Sequence, residues 1–205
     1  MNVSTPARIA VLVSGGGTNL QALIDAQKSG KLHSGKIVLV VSGVKGAYAL
    51  TRAEQNGIPT RTLTKKSCGG QSGFEQKLQE VLQENAIDLI ILAGFMNILS
   101  GEFTAKWPRR ILNVHPALIP SFCGKGFYGL HVHEAALAYG VKVTGATVHY
   151  VNEIPDGGEI ILQKAVAVKP GDTPETLQRR VMEQAEWKLL PRAAEIVSRE
   201  IAKGI

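Results

Sequence analysis

Short, uninterrupted apolar runs recur along the first half of the chain, and each is followed by a segment with helical periodicity. The runs are residues 9–13 (IAVLV), 37–41 (IVLVV) and 88–93 (DLIILA). A strand that is apolar on both faces has to be buried on both faces, as parallel strands covered by helices are. The pattern therefore predicts an α/β chain with an open, mostly parallel twisted sheet and helices on both faces.

The remaining segments extend this prediction. Helices are predicted from residue 18 onward and over 47–56, 74–85, 130–139 and parts of 173–202; short strands are predicted at 60–63 and 110–114, with a mobile polar loop at 64–73. Residues 143–151 alternate as a half-buried strand does, and a strand at 159–168 follows without room for a helical crossover. These last two strands are therefore expected to be antiparallel, which makes the sheet mixed.

Composition excludes several classes of protein. The 205 residues are 44% hydrophobic and 20% charged, which is typical of a globular domain with its own core. The two cysteines, Cys68 and Cys123, lie in no CxxC or Cys/His pattern, so we expect no metal site. The apolar stretch near the N-terminus is too short for a membrane span and lacks a signal-peptide pattern, so we expect a cytoplasmic protein without a membrane partner.

The net charge of +6 is compatible with a solvated surface or with steering of anionic substrates. Lys and Arg are scattered, and aromatic residues are only 5% of the chain. A platform for stacking single-stranded nucleic acid is therefore not indicated, and we expect no nucleic-acid partner. Small-molecule substrates are the expected partners, with the chain acting as a monomer or homodimer.

A glycine loop joins the first strand to the first helix in VLVSGGGTNLQAL. Gly15, Gly16 and Gly17 allow close backbone approach, and the helix N-terminus offers free N–H groups to a phosphate. The loop lacks the GK[ST] of a nucleoside-triphosphate motif and the third glycine of a dinucleotide motif. A tight turn with Thr18 as the helix cap explains the same residues equally well.

Three further positions are candidates for chemistry. Asn113 and His115 share one face at the carboxyl end of a strand, where open α/β sheets bind ligands, although a structural histidine is an equally simple explanation. Asp156 lies in a turn before two glycines, which is common, but near His115 it would raise the histidine's pKa. His131 and His133 lack a second ligand cluster, and His149 is either a pocket residue or a core residue.

Taken in order, several segments resemble those of the phosphoribosylglycinamide formyltransferase family, the folate-dependent formyltransferases of purine synthesis. These segments are SGGGTNLQALID, LAGFMNILS, LNVHPALIPSF, TGATVHYV and DGGEIILQ. The resemblance runs from about residue 9 to 191 and implies the formyltransferase fold with a Rossmann-like N-terminal half. It implies one domain over 1–205, with a phosphate-binding half at about 8–100 and a catalytic and folate-binding half at about 101–200.

The resemblance also implies an assignment of site residues. Asn113, His115 and Asp156 match the family's catalytic residues. The family's phosphate and acceptor positions match Gly15, Gly16, Gly17, Thr18, Asn19 and Glu186. Its folate positions match Met96, Asn97, Ile98, Leu99, Asn113, Val151, Asn152 and Asp156. The implied reaction moves a formyl group from 10-formyltetrahydrofolate, the co-substrate, to the amine of glycinamide ribonucleotide, with no metal. In this reaction Asp156 keeps His115 charged as an imidazolium. His115 and the Asn113 amide then donate hydrogen bonds to the developing oxyanion.

The chain departs from the family pattern in four places. Asn97 stands where the family often has Arg, and the segment around Gln71 lacks a basic residue sometimes found there. The segment CGKGFYGLHVH lengthens the connection after the catalytic strand. Counted from Asp156, Glu186 falls one residue out of register, which is about 100° on a helix.

Two other functions remain open on sequence grounds. A formyltetrahydrofolate deformylase, or another folate-dependent formyltransferase such as the one acting on initiator tRNA, would share the catalytic segment. Those enzymes typically carry an additional N-terminal or C-terminal domain, and because the resemblance to the catalytic domain takes up most of these residues, we expect neither of them here. A non-catalytic nucleotide-binding or nucleic-acid-binding module would use only the glycine loop and the positive charge, and it would bind duplex DNA with steep salt dependence.

Overall fold

A seven-stranded sheet forms the centre of the protein, described by a computed structural model over residues 5–204. The strands are β1 (Ala7–Val13), β2 (Gly35–Ser42), β3 (Thr60–Thr62), β4 (Leu89–Leu92), β5 (Ile111–His115), β6 (Val143–Tyr150) and β7 (Ile160–Ala167). Their order across the sheet is β3-β2-β1-β4-β5-β6-β7. The five strands from β3 to β5 run parallel, and β6 runs antiparallel to both of its neighbours. The predicted mixed, mostly parallel sheet is therefore confirmed.

Helices cover both faces of the sheet. They are α1 (Thr18–Lys28), α2 (Tyr48–Gln55), α3 (Gln71–Glu84), α4 (Gly101–Ala105), α5 (Leu130–Tyr139), α6 (Pro174–Val181) and α7 (Trp187–Ala202). A π-helical turn, Met182–Glu186, joins α6 to α7. In the part of the chain that the structure describes, no helix is long and apolar enough to cross a membrane.

Alternate residues of the central strands supply two separate cores. Ile9, Val11 and Val13 face one side of β1 with the buried residues of α1 and α7, whereas Ala10 and Leu12 face the other side with those of α3. Because successive side chains on a strand point to opposite faces, a run such as IAVLV serves both cores at once. Burying both faces is what makes this sheet need helices on each side.

The chain reverses its direction of progress across the sheet next to β1. The strands β2 and β3 add on one side of β1, whereas β4 and β5 add on the other side. The connections leaving the carboxyl ends of β1 and β4 therefore diverge and leave a crevice above the sheet, which is where ligands bind in open α/β folds. The glycine loop and the segment after β4 both start at this crevice.

Two local predictions are wrong. The segment 64–73 is not simply a loop: a turn is closed by Thr64 and Ser67, whose hydroxyls lie 2.9 Å apart, and α3 begins at Gln71. Polar residues hid this helix start, because its first turn is held by tertiary contacts instead of an apolar stripe. The strand β6 is also not half-buried; apart from Val143 it is buried throughout, since it lies between β5 and β7.

We expect Gly145→Ala to destabilise the protein, because β6 passes close to its neighbours there. A Cβ at Gly145 would lie 2.0 Å from the Lys164 carbonyl oxygen and 2.8 Å from Leu118 Cδ2. The expected loss in free energy of unfolding, measured by urea denaturation, is about 1–3 kcal/mol. Gly16→Ala is the matched control, because a Cβ added at Gly16 would have no other atom within 4 Å. Equal stability of the two variants would contradict this account of β6.

Candidate active site

A cavity of about 790 Å³ opens above the carboxyl ends of β1, β4 and β5. Its walls come from five parts of the chain that are far apart in sequence: the start of α1, the segment after β4, the end of β5 with the loop that follows it, the connection between β6 and β7, and the π-turn region. Of the predicted site residues it is lined by Thr18, Asn19, Met96, Asn97, Ile98, Leu99, Asn113, His115, Val151, Asn152, Asp156 and Glu186. The cavity lining thus joins residues from both halves of the chain.

The start of α1 presents an uncapped helix N-terminus to this cavity. Gly17 is the N-cap with φ 74°, and no side chain accepts a hydrogen bond from the first turn. Thr18 is the first helical residue and not the cap, so the alternative of a Thr-capped turn is wrong. Uncapped N–H groups and the positive end of the helix dipole suit an anion. Gly15 and Gly16 are exposed beside this turn, and neither they nor Gly17 are part of the cavity lining.

Glu186 reaches the same wall of the cavity from the other end of the chain. Its Oε2 accepts a hydrogen bond of 2.7 Å from Asn19 Nδ2, and the side chain is buried. Burial raises the pKa of Glu186 to about 7, and the hydrogen bond from Asn19 only partly opposes this rise. Glu186 is the last residue of the π-turn, and such a turn takes up one more residue than an α-helical turn. The π-turn therefore brings Glu186 into the cavity despite its one-residue offset.

The strand β5 carries Asn113 and His115 to the cavity floor. His115 Nε2 lies 2.8 Å from the carbonyl oxygen of Phe122, so this nitrogen must donate the hydrogen. The other ring nitrogen, Nδ1, lies 3.5 Å from Asp156 Oδ2. Asn113 Nδ2 lies 3.4 Å from Asp156 Oδ1. The three predicted catalytic side chains are therefore brought together, although 43 positions separate Asn113 from Asp156.

Asp156 is held in place by the backbone as well as by side chains. Its φ of 56° lies in the left-handed region, and its Oδ2 accepts a 2.9 Å hydrogen bond from the Gly124 N–H. Burial alone would raise the pKa of Asp156. The contacts with His149, the interaction with His115 and the Gly124 N–H outweigh burial and hold the pKa below its usual value. The carboxyl is therefore ionised at neutral pH.

His115 differs in charge from the sequence-based expectation. Burial lowers the pKa of His115 by more than the Asp156 carboxylate and the Phe122 carbonyl raise it, and His149 lowers it further. The net shift is downward from 6.5, so the ring is neutral at pH 7. The prediction of a resting imidazolium is wrong, because only about 4% of the residue remains exposed to water. Nδ1 faces the carboxylate, so protonation of the ring would place a hydrogen between these two groups.

His149 is the site residue that sequence reasoning left undecided. It pairs with Asn113 across β5 and β6, is buried, and forms part of the cavity wall. Its Nδ1 lies 2.8 Å from the Tyr150 carbonyl oxygen and therefore donates. Its Nε2 then faces Asn113 Nδ2 at 3.2 Å and Asp156 Oδ1 at 3.5 Å. Only the strand register could reveal this contact.

The segment after β4 forms an apolar wall of the cavity. Met96 and Ile98 are more than half exposed, at 57% and 65%, and both line the cavity, so they offer it apolar surface. Polar contacts hold the segment in shape: Met96 N–H donates to Ser14 Oγ at 3.0 Å, and Gln71 donates to the Ile98 carbonyl at 3.0 Å. Gln71 thus supports this wall through the backbone, with no charge of its own.

The opposite wall is formed by residues 151–156. Asn152 Oδ1 accepts a 3.0 Å hydrogen bond from the Ile154 N–H, which shapes the turn that leads to Asp156.

Among residues 5–204 no group of three or more His, Cys, Asp or Glu side chains is arranged to hold a metal ion. His131 contacts Glu134 at 2.9 Å, whereas His133 is buried on α5.

We expect Glu186→Gln to remove a pH dependence of stability. The folded-state pKa of Glu186, about 7, lies above its ordinary value of 4.5, so this group favours folding fully below pH 4.5 and loses that contribution as pH rises through 7. The loss corresponds to about 3 kcal/mol of unfolding free energy. Urea denaturation from pH 4.5 to 8.5 should show a steeper decline for the natural protein than for Glu186→Gln. Parallel curves would contradict the raised pKa.

Comparisons with known proteins identify the family to which this fold belongs. A formyl transferase family model matches residues 7–194. The chain is 49% identical over 93% of its length to a trifunctional purine biosynthetic protein adenosine-3 from Gallus gallus, but spans only 18% of that relative. It is 41% identical to phosphoribosylglycinamide formyltransferase from Haemophilus influenzae, over 90% of this chain and 84% of that protein.

Solved structures agree with the sequence relatives. The glycinamide ribonucleotide transformylase 1 of Symbiobacterium toebii superposes with a TM-score of 0.87 at 40% identity, covering 97% of this chain and 89% of that one. The resemblance expected from the ordered sequence segments is therefore confirmed, and the chain belongs to the formyl transferase family.

Proposed function

We propose that this protein transfers the formyl group of 10-formyltetrahydrofolate to the amine of glycinamide ribonucleotide, a step of purine synthesis. The observation that supports this most is one cavity that joins an uncapped helix N-terminus to the cluster of Asn113, His115 and Asp156. The cavity can thus seat a phosphate and present a reactive amine to acid–base groups. Relatives named phosphoribosylglycinamide formyltransferase support the same substrates.

The acceptor's phosphate would bind at Gly15, Gly16, Gly17, Thr18 and Asn19. Backbone N–H groups at the start of α1 supply donors and a favourable dipole, so no side-chain cation is needed for this contact. Glu186 would accept hydrogen bonds from the ribose hydroxyls, because its carboxyl lies on the same wall and is already bonded to Asn19. The Asn19–Glu186 hydrogen bond would then set the spacing between the phosphate and ribose positions.

The donor's pterin would lie between the wall of Met96, Asn97, Ile98 and Leu99 and the wall of Val151 and Asn152. The apolar side chains of the first wall offer a face for a flat heterocycle, and their exposure in the free protein is relieved when the ring binds. Asn113 and Asp156 complete this subsite at its inner end. The carbon carrier is thus bound as a co-substrate, and the side chains described here supply the acid–base groups.

The chemistry requires one bond to form and one to break. The amine nitrogen attacks the formyl carbon, the bond from that carbon to N10 of the folate breaks, and a proton moves from the amine to N10. Asn113 Nδ2 would donate to the negative charge that develops on the formyl oxygen, a contact that matters most in the transition state. Asp156 would accept the amine's proton and return it to N10.

His115 would act through its change of charge. It is neutral in the free protein, with Nε2–H donated to Phe122 and Nδ1 facing Asp156. A proton that arrives at the Asp156 carboxyl can be shared with His115 Nδ1, so positive charge appears beside the site only as the reaction proceeds. Displacement of the Phe122 carbonyl by the bound donor would free Nε2–H for the formyl oxygen. Charge that is present only in the transition state lowers the barrier without tightening substrate binding.

We expect Asp156→Asn and His115→Ala each to lower the rate of formyl transfer by roughly three orders of magnitude, because each removes a proton-transfer or oxyanion contact. Asparagine tolerates the left-handed conformation of residue 156, so the loop should keep its shape. The assay follows the absorbance of deformylated folate with and without glycinamide ribonucleotide. Near-normal turnover in either variant would reject the proposed roles.

The same assay separates transfer from hydrolysis. Folate deformylation that depends on the acceptor identifies a transferase, whereas equal rates without the acceptor identify a deformylase. For a transferase, one formylated ribonucleotide should form for each deformylated folate. Failure to consume formyl folate under any condition would contradict the proposed function as a whole.

We expect Gly17→Ala to raise the KM for glycinamide ribonucleotide roughly tenfold while the KM for the donor changes little. The substitution is strained at φ 74°, and its Cβ would lie 2.6 Å from Ala49 Cβ, so the phosphate loop has to move. Gly30→Ala is the matched control, because it imposes the same backbone strain at φ 72° outside the phosphate loop, with no other atom within 4 Å of the added Cβ. An acceptor KM unchanged in Gly17→Ala would argue against phosphate binding at this loop.

A further inference from the structure

The cavity is poor in positive charge for a site that takes two anionic substrates. Its described lining carries three carboxylates, Glu153, Asp156 and Glu186, and a single lysine or arginine side chain, Lys125. The acceptor's phosphate has the start of α1 as its binding partner. The donor, however, also carries a glutamate whose carboxylates are ionised at neutral pH. That second anion has only Lys125 available as a counter-charge within the described lining.

Lys125 lies on a glycine-rich loop that is fastened to the reacting centre. The flanking residues Gly124 and Gly126 have φ values of 85° and 93°. The Gly124 N–H binds Asp156 Oδ2 at 2.9 Å, and the Phe127 N–H binds the Gly124 carbonyl at 3.1 Å. The backbone of Lys125 is therefore held next to the carboxylate, while its exposed side chain makes no ion pair or hydrogen bond with any residue in the range 5–204.

The donor's own structure relates these two positions. Its formyl group is on N10, which also bears the aminobenzoyl ring that ends in the glutamate. When the formyl carbon lies at Asn113 and Asp156 and the pterin lies in the cavity, the benzoyl-glutamate leaves the reacting centre on the other side of N10. Lys125 lines the same cavity as Asn113 and Asp156 and follows directly after Gly124, whose N–H donates to Asp156. Asn97, on the pterin wall, has no charge to offer the tail.

We propose that Lys125 binds the glutamate carboxylates of the formyl donor and so determines the protein's preference for donors that carry this anionic tail. The inference rests on the proposed function for the identity of the donor. It assigns a binding role to the segment CGKGFYGLHVH, which lengthens the connection after the catalytic strand. Lys125 contacts neither the formyl carbon nor the amine, so it should act on donor affinity and not on the chemical step.

The test compares two donors that differ only in the tail: 10-formyltetrahydrofolate and the carboxamide of 10-formyltetrahydropteroate (the pteroate donor), which lacks the glutamate and has no free carboxylate. Lys125→Met keeps the length and apolar stem of the side chain but removes its charge. We expect it to raise the KM for the glutamate-bearing donor about tenfold, as the loss of one charge-assisted contact does, with kcat unchanged. The KM for the pteroate donor should stay the same, and Lys125→Arg should restore the preference.

Added salt provides a second readout. Because an exposed ion pair is screened by ions, the KM of the natural protein for the glutamate-bearing donor should rise with salt, whereas that of Lys125→Met should not. Lys164→Met, which removes an exposed lysine of β7 outside the cavity lining, is the matched control and should behave as the natural protein does.

Two results would overturn the inference. One is a Lys125→Met variant that keeps the natural ratio of KM values for the two donors. The other is an equal rise in both KM values, which would mean that the loop is damaged and no tail contact is lost. Equilibrium titration of the natural protein and the variants with tetrahydrofolate and with the carboxamide of tetrahydropteroate decides the question without turnover. An absence of formyl transfer in the natural protein would therefore reject the proposed function alone.

Discussion

The arrangement of the candidate site depends on the contacts of the Asp156 carboxylate. This carboxylate touches His115, Asn113, His149 and the Gly124 N–H at once, and these groups come from β5, β6 and the loop after β5. A buried carboxylate without partners would be costly, and here the Gly124 N–H and Asn113 Nδ2 donate to it. Its left-handed backbone conformation is a strain that the surrounding contacts hold in place.

The electrostatics of the cavity follow from where water is excluded. Burial makes His115 neutral and keeps Glu186 protonated up to about pH 7, whereas several donors keep Asp156 ionised. Two acid–base groups of the cavity are thus neutral because they are buried, and the third is charged because hydrogen-bond donors surround it. In the free protein Asp156 is therefore ionised where the proposed proton transfer begins. His115 would become charged only during that reaction.

The C-terminal helical region shows how a local irregularity serves the site. The π-turn Met182–Glu186 lies between two ordinary helices and brings Glu186 to Asn19, 167 positions earlier in the chain. Patterns of helical periodicity predicted a helix here but not the π-turn, because i→i+5 hydrogen bonds replace the α-helical ones over only five residues.

The sequence by itself determined the α/β class, the positions of most strands and helices, the glycine loop, and the pairing of Asn113 with His115 on one strand face. Apolar periodicity and glycine carry that information locally. Only the tertiary structure decided that Asp156 lies beside His115, that His149 faces Asn113, and that burial lowers the pKa of His115. It also decided that Lys125 is the single lysine or arginine of the described cavity lining. Those facts depend on strand register, burial and loop closure, which arise from contacts between residues remote in sequence.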